Sequence, residues 1–167
     1  MPQDRSFAHA NWFQRGTRTF AASGVGSRIF AVTAHPLDRL VHRWTNGRRT
    51  LAGMLTGIPA VILTTTGARS GLERSVPVLG IPHPEGLGVI ASNFGSTHHP
   101  AWYYNLRAHP EAKVSVDGEE WTVLARQADA AERDALWAGG LEIYPGWRKY
   151  EARAGDRHIE AFVLVRE

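Results

Sequence analysis

The spacing of apolar positions changes near residue 59. Before it, Leu37, Leu40, Val41 and Trp44 fall at i, i+3, i+4 and i+7, one face of a helix, with Arg39 and Arg43 off that face. Pro36 suits the first turn of this helix, and Asn46-Gly47 ends it. Upstream, Phe7, Trp12, Phe13 and Phe20 form a weaker helical pattern interrupted by Gly16, and Gly24 and Gly26 loosen the join to Ile29–Thr33. Past residue 59 the runs shorten and become β-rich. Ala60–Thr66, Glu73–Ile81 and Leu87–Ser92 read as strands, the last two separated by the turn His83-Pro-Glu-Gly86. Pro100–His109 reads as a helix stopped by Pro110. Lys113–Val116 and Glu119–Arg126 form a hairpin across Asp117-Gly118, a favoured two-residue turn. Asp129-Ala-Ala-Glu132 is a capping box for a helix that runs to about Ala138 and stops at Gly139-Gly140. A short helix over Pro145–Arg153 and a sixth strand, Ile159–Val165, close the pattern.

Six strands joined mostly as hairpins predict an α+β, mainly β fold: a small antiparallel barrel with peripheral helices. A Rossmann sheet needs regular strand–helix alternation and is disfavoured. The predicted organisation is a single domain, with residues 1–57 a helical segment packed on a barrel of residues 58–167. A chain of 167 residues, 43% apolar, has enough core to fold without a staple. Met1-Pro-Gln-Asp-Arg5 leads into no secretory apolar region, and the most apolar stretch, Met54–Leu63, is broken by Gly57 and Pro59. The expected location is therefore the cytoplasm, with peripheral membrane contact through the N-terminal helices as the alternative to their docking on the barrel.

Charge and composition narrow the chemistry. With no cysteine, disulfides, thiolate metal sites and cysteine nucleophiles are excluded. Residues 1–50 hold eight Arg against two Asp, while the formal charge of the whole chain is +3. Arg dominates the basic residues, with Lys only at Lys113 and Lys149, and its fork suits phosphate and carboxylate. No nucleic-acid-binding motif accompanies the basic segment, so a nucleic-acid partner is not expected.

Three segments carry candidate chemistry. Thr64-Thr-Thr-Gly-Ala-Arg-Ser-Gly-Leu-Glu-Arg74 offers glycines, hydroxyls, Arg69 and Arg74, the parts of an anion cradle, or else an ordinary β-turn with solvated arginines. It lacks the ending of a Walker loop. Ala91-Ser-Asn-Phe-Gly-Ser-Thr-His-His-Pro-Ala-Trp-Tyr-Tyr-Asn-Leu106 runs from a strand through a polar loop into a helix. Trp102, Asn105, Leu106 and His109 share one face of that helix, although Trp102 and Leu106 also read as plain core. Adjacent His98 and His99 with no acidic partner motif do not make a metal site, and none is expected. In Tyr144-Pro-Gly-Trp-Arg-Lys-Tyr150 the rings Tyr144, Trp147 and Tyr150 recur every third residue, suiting a lid over a planar ligand. As core they would need buried partners for two phenols. No nucleophile elbow or paired carboxylates point to hydrolysis.

In this order and spacing the segments resemble the deazaflavin (coenzyme F420)-dependent nitroreductase family, from about Pro36 to Val165. Thr65-Thr-Gly-Ala-Arg-Ser-Gly-x-x-Arg-x-x-Pro77 resembles its phosphate-side motif, and Ala91-Ser92 with Pro100-Ala-Trp-Tyr-x-Asn-Leu106 and His109-Pro110 its second signature. The resemblance implies a six-stranded split β-barrel that transfers a hydride from reduced F420 to an electron-poor quinone, enone or nitro-aromatic. It implies that Ala68, Arg69, Ser70, Arg74, Ser75, Val76 and Pro77 contact the phosphate, side chain and ring edge of the cofactor. Ile90, Ala91, Ser92 and Asn93 would line the deazaflavin, with Ala101, Trp102 and Asn105 on the other side. Ser92, Tyr144, Trp147 and Tyr150 would surround the acceptor, with Tyr144 or Tyr150 giving the proton. The basic N-terminal segment would help hold the cofactor's glutamate tail. Family members carry Lys-Gly where this chain has Asn93-Phe94, and a tyrosine where it has Trp147. The alternatives are FMN on the same barrel, or a non-catalytic cofactor or lipid carrier. Split barrels of this kind often pair as homodimers.

Overall fold

A computed structural model describes residues 60–116 and 118–167. The expected helical segment over 1–57, including the Leu37–Trp44 helix, lies outside these residues, as does the membrane contact assigned to it. The strands are β1 (Ala60–Thr66), β2 (Glu73–Leu79), β3 (Ile81–His83), β4 (Gly86–Ile90), β5 (Glu111–Val116), β6 (Glu119–Gln127) and β7 (Ala161–Arg166). The helices are α1 (Ala101–Ala108), α2 (Ala130–Ile143) and α3 (Trp147–Ala154). All strands join one curled antiparallel sheet, a half-barrel in the order β2-β1-β5-β6-β7-β4-β3.

The described sheet has seven strands, not six. The predicted strand Glu73–Ile81 divides at Gly80 because its two halves have different partners. Leu79 pairs with Ala60 of β1, whereas Ile81 pairs with Gly88 of β4. Apolar patterning continues through the break and so conceals it. The hairpin of β5 and β6 forms with Val116 opposite Glu119. The capping box forms as well: the Asp129 carboxylate accepts from the Glu132 N–H, and the Glu132 carboxylate accepts from the Asp129 N–H. Helix α2 then runs past the predicted stop at Gly139-Gly140 to Ile143. Gly140 is needed there for closeness and not as a terminator, since a Cβ on it would overlap the Trp147 ring.

Strand alternation divides the core between the two faces of the sheet. Val61, Leu63, Val89, Ala91, Val114, Val123, Phe162 and Leu164 point to one face, where α1 covers them with Trp102, Tyr103 and Leu106. Ile81, Ile90, Ala161 and Val163 point to the other, under Leu136 of α2, Tyr144, and Trp147 and Tyr150 of α3. Burying a side chain such as Leu63 or Leu164 on such a face stabilises the fold by about 1.5–3 kcal/mol. Adjacent residues of β7, Phe162 and Val163, thus serve different cores. The segment between β4 and α1 therefore has to cross from one layer to the other, and the second candidate motif lies on that crossing.

Candidate functional site

The first motif occupies the β1–β2 turn. Gly67 N–H donates to the Leu72 carbonyl (2.9 Å) and Gly71 N–H to the Gly67 carbonyl (2.8 Å), closing the turn on itself. One buried amide then fixes it to α1. The Asn105 Oδ1 accepts from the Ala68 N–H (3.0 Å), and its Nδ2 donates to the Thr65 hydroxyl (2.9 Å). Thr65 and Asn105 are the buried polar residues of the described core, and each satisfies the other. Ala68, Arg69 and Ser70 remain exposed at the tip.

Strand pairing brings the second arginine beside this turn. Arg74 lies opposite Thr65, and among the described residues its guanidinium donates to the Glu73 carbonyl (3.2 Å). Neither Arg69 nor Arg74 pairs with a carboxylate among the described residues. Along β2, Val76 packs on the α1-side core, while the Ser75 hydroxyl meets that of Thr64 (2.8 Å) on the opposite face. The side chains of Arg74 and Val76 therefore share one face, and those of Ser75 and Pro77 share the other.

The second motif is built differently. Ile90 and Ala91 are buried, and the chain then turns through a short 3-10 segment, Asn93–Gly95. Asn93 and Phe94 both have positive φ, 45° and 53°. Asn tolerates this region, but for Phe it is a strained conformation costing about 1–3 kcal/mol, which the surroundings must hold. They do so at several points. The Asn93 Nδ2 donates to the His98 carbonyl (2.8 Å). Gly95, at φ 76°, lies so close to α3 that a Cβ would come within 2.7 Å of the Tyr150 carbonyl oxygen.

Arg157, just before β7, supplies the largest set of ties. Its Nη1 donates to the Ala91 carbonyl (2.9 Å), Nη2 to the Ser92 carbonyl (2.8 Å) and Nε to the Ser96 carbonyl (2.8 Å). Burial lowers the Arg157 pKa from its ordinary value. His99, 3.4 Å from Arg157 Nη1, stacks on Tyr103 at 4.0 Å between ring centroids. Burial first, and then the Arg157 charge, hold His99 below its ordinary pKa. Within this framework the half-buried Ser92 caps no N–H with its hydroxyl, which bonds to no described group. Phe94 is left exposed, its ring edge-on to Tyr150 at 6.1 Å.

The aromatic trio belongs to the core. Tyr144, Trp147 and Tyr150 are 6%, 4% and 3% exposed, so they form a packed layer and not an open lid. Each phenol supplies the buried partner that the other needs, their oxygens 3.2 Å apart. Burial raises both phenol pKa values, so both hydroxyls stay protonated. Trp147 stacks on Trp137 at 5.5 Å. Trp102 also lies in the core, edge-on to Phe162 at 6.1 Å, on the opposite face of the sheet. Of the remaining candidates, Ala101 is exposed at the start of α1, one helical turn before Asn105. The structure thus brings Ala68, Arg69, Ser70, Arg74 and Asn105 to one place, and Ser92, Asn93, Phe94 and Tyr150 to another. Sequence reasoning missed Arg157, which stands in a polar loop with no local motif, 65 residues after Ser92.

One group could be mistaken for a metal centre. His83, Glu85 and Glu132 bring their ligand atoms within 4.8 Å of one another. The position a cation would neutralise is already served by Arg126, which lies 2.6 Å from both Glu85 and Glu132. That contact, helped by the Asp129 N–H, holds the Glu132 carboxyl down at about 2. The group is an ion-pair network.

The sequence model of the F420H(2)-dependent quinone reductases matches residues 29–166. This chain belongs to that family. Among curated proteins it is similar to an F420H(2)-dependent quinone reductase of Mycobacterium tuberculosis, 29% identical over 134 residues that cover 78% of this chain and 88% of the relative. Among solved structures it is similar to an F420-H2 dependent reductase, FDR-A, with 34% identity and a TM-score of 0.58. That match covers 64% of this chain and 93% of the other. A second solved chain, described as a domain-swapped dimer, has 30% identity and a TM-score of 0.60, covering 78% of this chain and 94% of its own.

Proposed function

We propose that this chain binds coenzyme F420 and catalyses reduction of an electron-poor planar acceptor, a quinone first and a nitro-aromatic or enone second. The observation that carries the reading is the family match over residues 29–166, whose span includes both motifs. The residues suit the group. Arg69 and Arg74, exposed beside one turn and without carboxylate partners among the described residues, suit a phosphate through charge-assisted bonds. When bound, reduced F420 supplies two electrons as a hydride. The chain's own part is to hold and orient. Asn105 keeps the Arg69 turn against α1, and residues 90–93 would line the ring of the cofactor. Ser92 offers its hydroxyl to the acceptor oxygen, where charge develops during reduction.

With both phenols buried and bonded to each other, Tyr150 meets the Phe94 ring edge-on, and the acceptor contact falls to Ser92. The expected outcome is turnover of a soluble quinone such as menadione by the purified protein with chemically reduced F420. Replacing Ser92 with Ala should lower kcat by roughly 100–1,000-fold, the scale of losing one donor at a developing oxyanion. A wild type that leaves menadione unreduced while oxidising no F420H2 sinks the reading.

A further inference from the structure

The crossing between β4 and α1 holds a conformation that its own sequence does not favour. Phe94 sits at φ 53°, beside Asn93 at φ 45°, and the local bonds that close the turn are Gly95 N–H to the Ser92 carbonyl and Ser96 N–H to the Asn93 carbonyl, each 2.9 Å, with Asn93 Nδ2 to the His98 carbonyl at 2.8 Å. Among the described residues, the long-range side-chain hydrogen bonds to this crossing come from one residue, while the Ala91 N–H donates to the Glu160 carbonyl (2.8 Å). Arg157 uses all three of its guanidinium nitrogens on carbonyls that flank the strained pair, Ala91 and Ser92 before it and Ser96 after it. Its planar fork spans separated acceptors that an ammonium could not reach together. The Ser92 carbonyl accepts from both Arg157 and Gly95, so the residue whose hydroxyl stays uncommitted is the one whose backbone is most constrained.

We propose that Arg157 is a positioning residue for the reduction, a clamp on the carbonyls around the left-handed Asn93–Phe94 corner that thereby aims the Ser92 hydroxyl and the exposed Phe94 ring. The proposal rests on the reading of Ser92 as the acceptor contact. It acts through geometry, since displacement of a reacting partner by about 1 Å costs on the order of a hundredfold in rate. Phe94 would then bias the enzyme toward flat acceptors that can lie against its ring. A shallow cleft of about 230 Å³ borders Arg157, lined by Arg133, Glu151 and Ile159 among others, and gives a small cation access to the clamp position.

The test compares wild type, Arg157→Ala and Arg157→Lys by amide hydrogen exchange and by steady-state kinetics with reduced F420 and menadione. In Arg157→Ala the Gly95 and Ser96 amides should exchange about tenfold faster or more, with α2 amides unchanged. The kcat should fall about tenfold or more, with a smaller change in KM for F420, and millimolar guanidinium should restore part of it where ammonium does not. Arg157→Lys should recover little, and it carries the same comparison if the alanine variant fails to fold. Unchanged protection at Gly95 and Ser96, or lost protection with kcat within twofold of wild type, overturns the clamp. A wild type that neither binds F420 nor reduces menadione overturns the underlying reading and the clamp's role with it. Failure confined to the variants tells the two apart.

Discussion

The β1–β2 turn and the β4–α1 crossing are both candidate cofactor-side loops, yet they spend their arginines in opposite ways. At the turn, Arg69 and Arg74 are exposed and have no carboxylate partner among the described residues, while a neutral amide, Asn105, holds the turn. At the crossing, Arg157 is partly buried and fully engaged with backbone carbonyls. Charge left unpaired at a surface is available to an anion, whereas charge bonded to carbonyls builds shape. On the proposed reading, the first loop binds the cofactor and the second positions the acceptor. The same division holds for hydroxyls: Ser92 is uncommitted, while Tyr144 and Tyr150 are bonded to each other.

The sharpest way to break this division is at the aromatic layer. Trp147→Ala should destabilise the protein by about 3–5 kcal/mol, because it empties a packed position between Gly140 and Trp137. A denaturant midpoint close to that of wild type would mean that Trp147 faces a ligand and not the core. Next comes Asn105→Ala. It leaves the Ala68 N–H and the buried Thr65 hydroxyl without their partner, costing about 1–3 kcal/mol. It should also weaken F420 binding by loosening the Arg69 turn, so loss of stability with unchanged affinity would separate the turn from the cofactor.

The smallest effect concerns pH. His99 is held below its ordinary value of 6.5, so the unfolded chain takes up this proton before the folded one does. The stabilisation is therefore complete above 6.5 and is lost as pH falls below it, through the folded pKa. Arg157, Arg107 and His158 oppose protonation and Glu160 favours it. Replacing His99 with Phe keeps a ring against Tyr103 and removes the titration. The fall in Tm from pH 7.5 to pH 5 should then be smaller in the variant than in wild type, by about one degree or less. An equal fall in both proteins would place the pH dependence elsewhere.

What could be read from the sequence follows the range of the interactions. The β-rich run Ala60–Thr66, the hairpin pairing of Val116 with Glu119 and the Asp129–Glu132 capping box are local, and each forms as its residues predict. The break at Gly80 was hidden because a change of pairing partner leaves no mark on an apolar run. The end of α2 was placed too early because Gly140 meets Trp147, a contact across a helix junction. The phenols of Tyr144 and Tyr150 looked hard to bury singly; that each satisfies the other depends on how α2 and α3 meet. Arg157 was silent for the same reason. Its acceptors lie far back along the chain, and nothing in Gly155-Asp-Arg-His158 distinguishes it from a solvated loop arginine.

The most direct test of the division is a fluorescence titration of oxidised F420 with wild type and with the double variant Arg69→Ala, Arg74→Ala. Saturable binding by wild type is expected, with affinity in the double variant reduced roughly tenfold or more, the scale of losing charge-assisted bonds worth about 1.5–3 kcal/mol. Both substitutions are at the surface, so Tm should be nearly unchanged, within about 0.5 kcal/mol of stability. No saturable signal in wild type, or equal affinity in the double variant, would contradict the account.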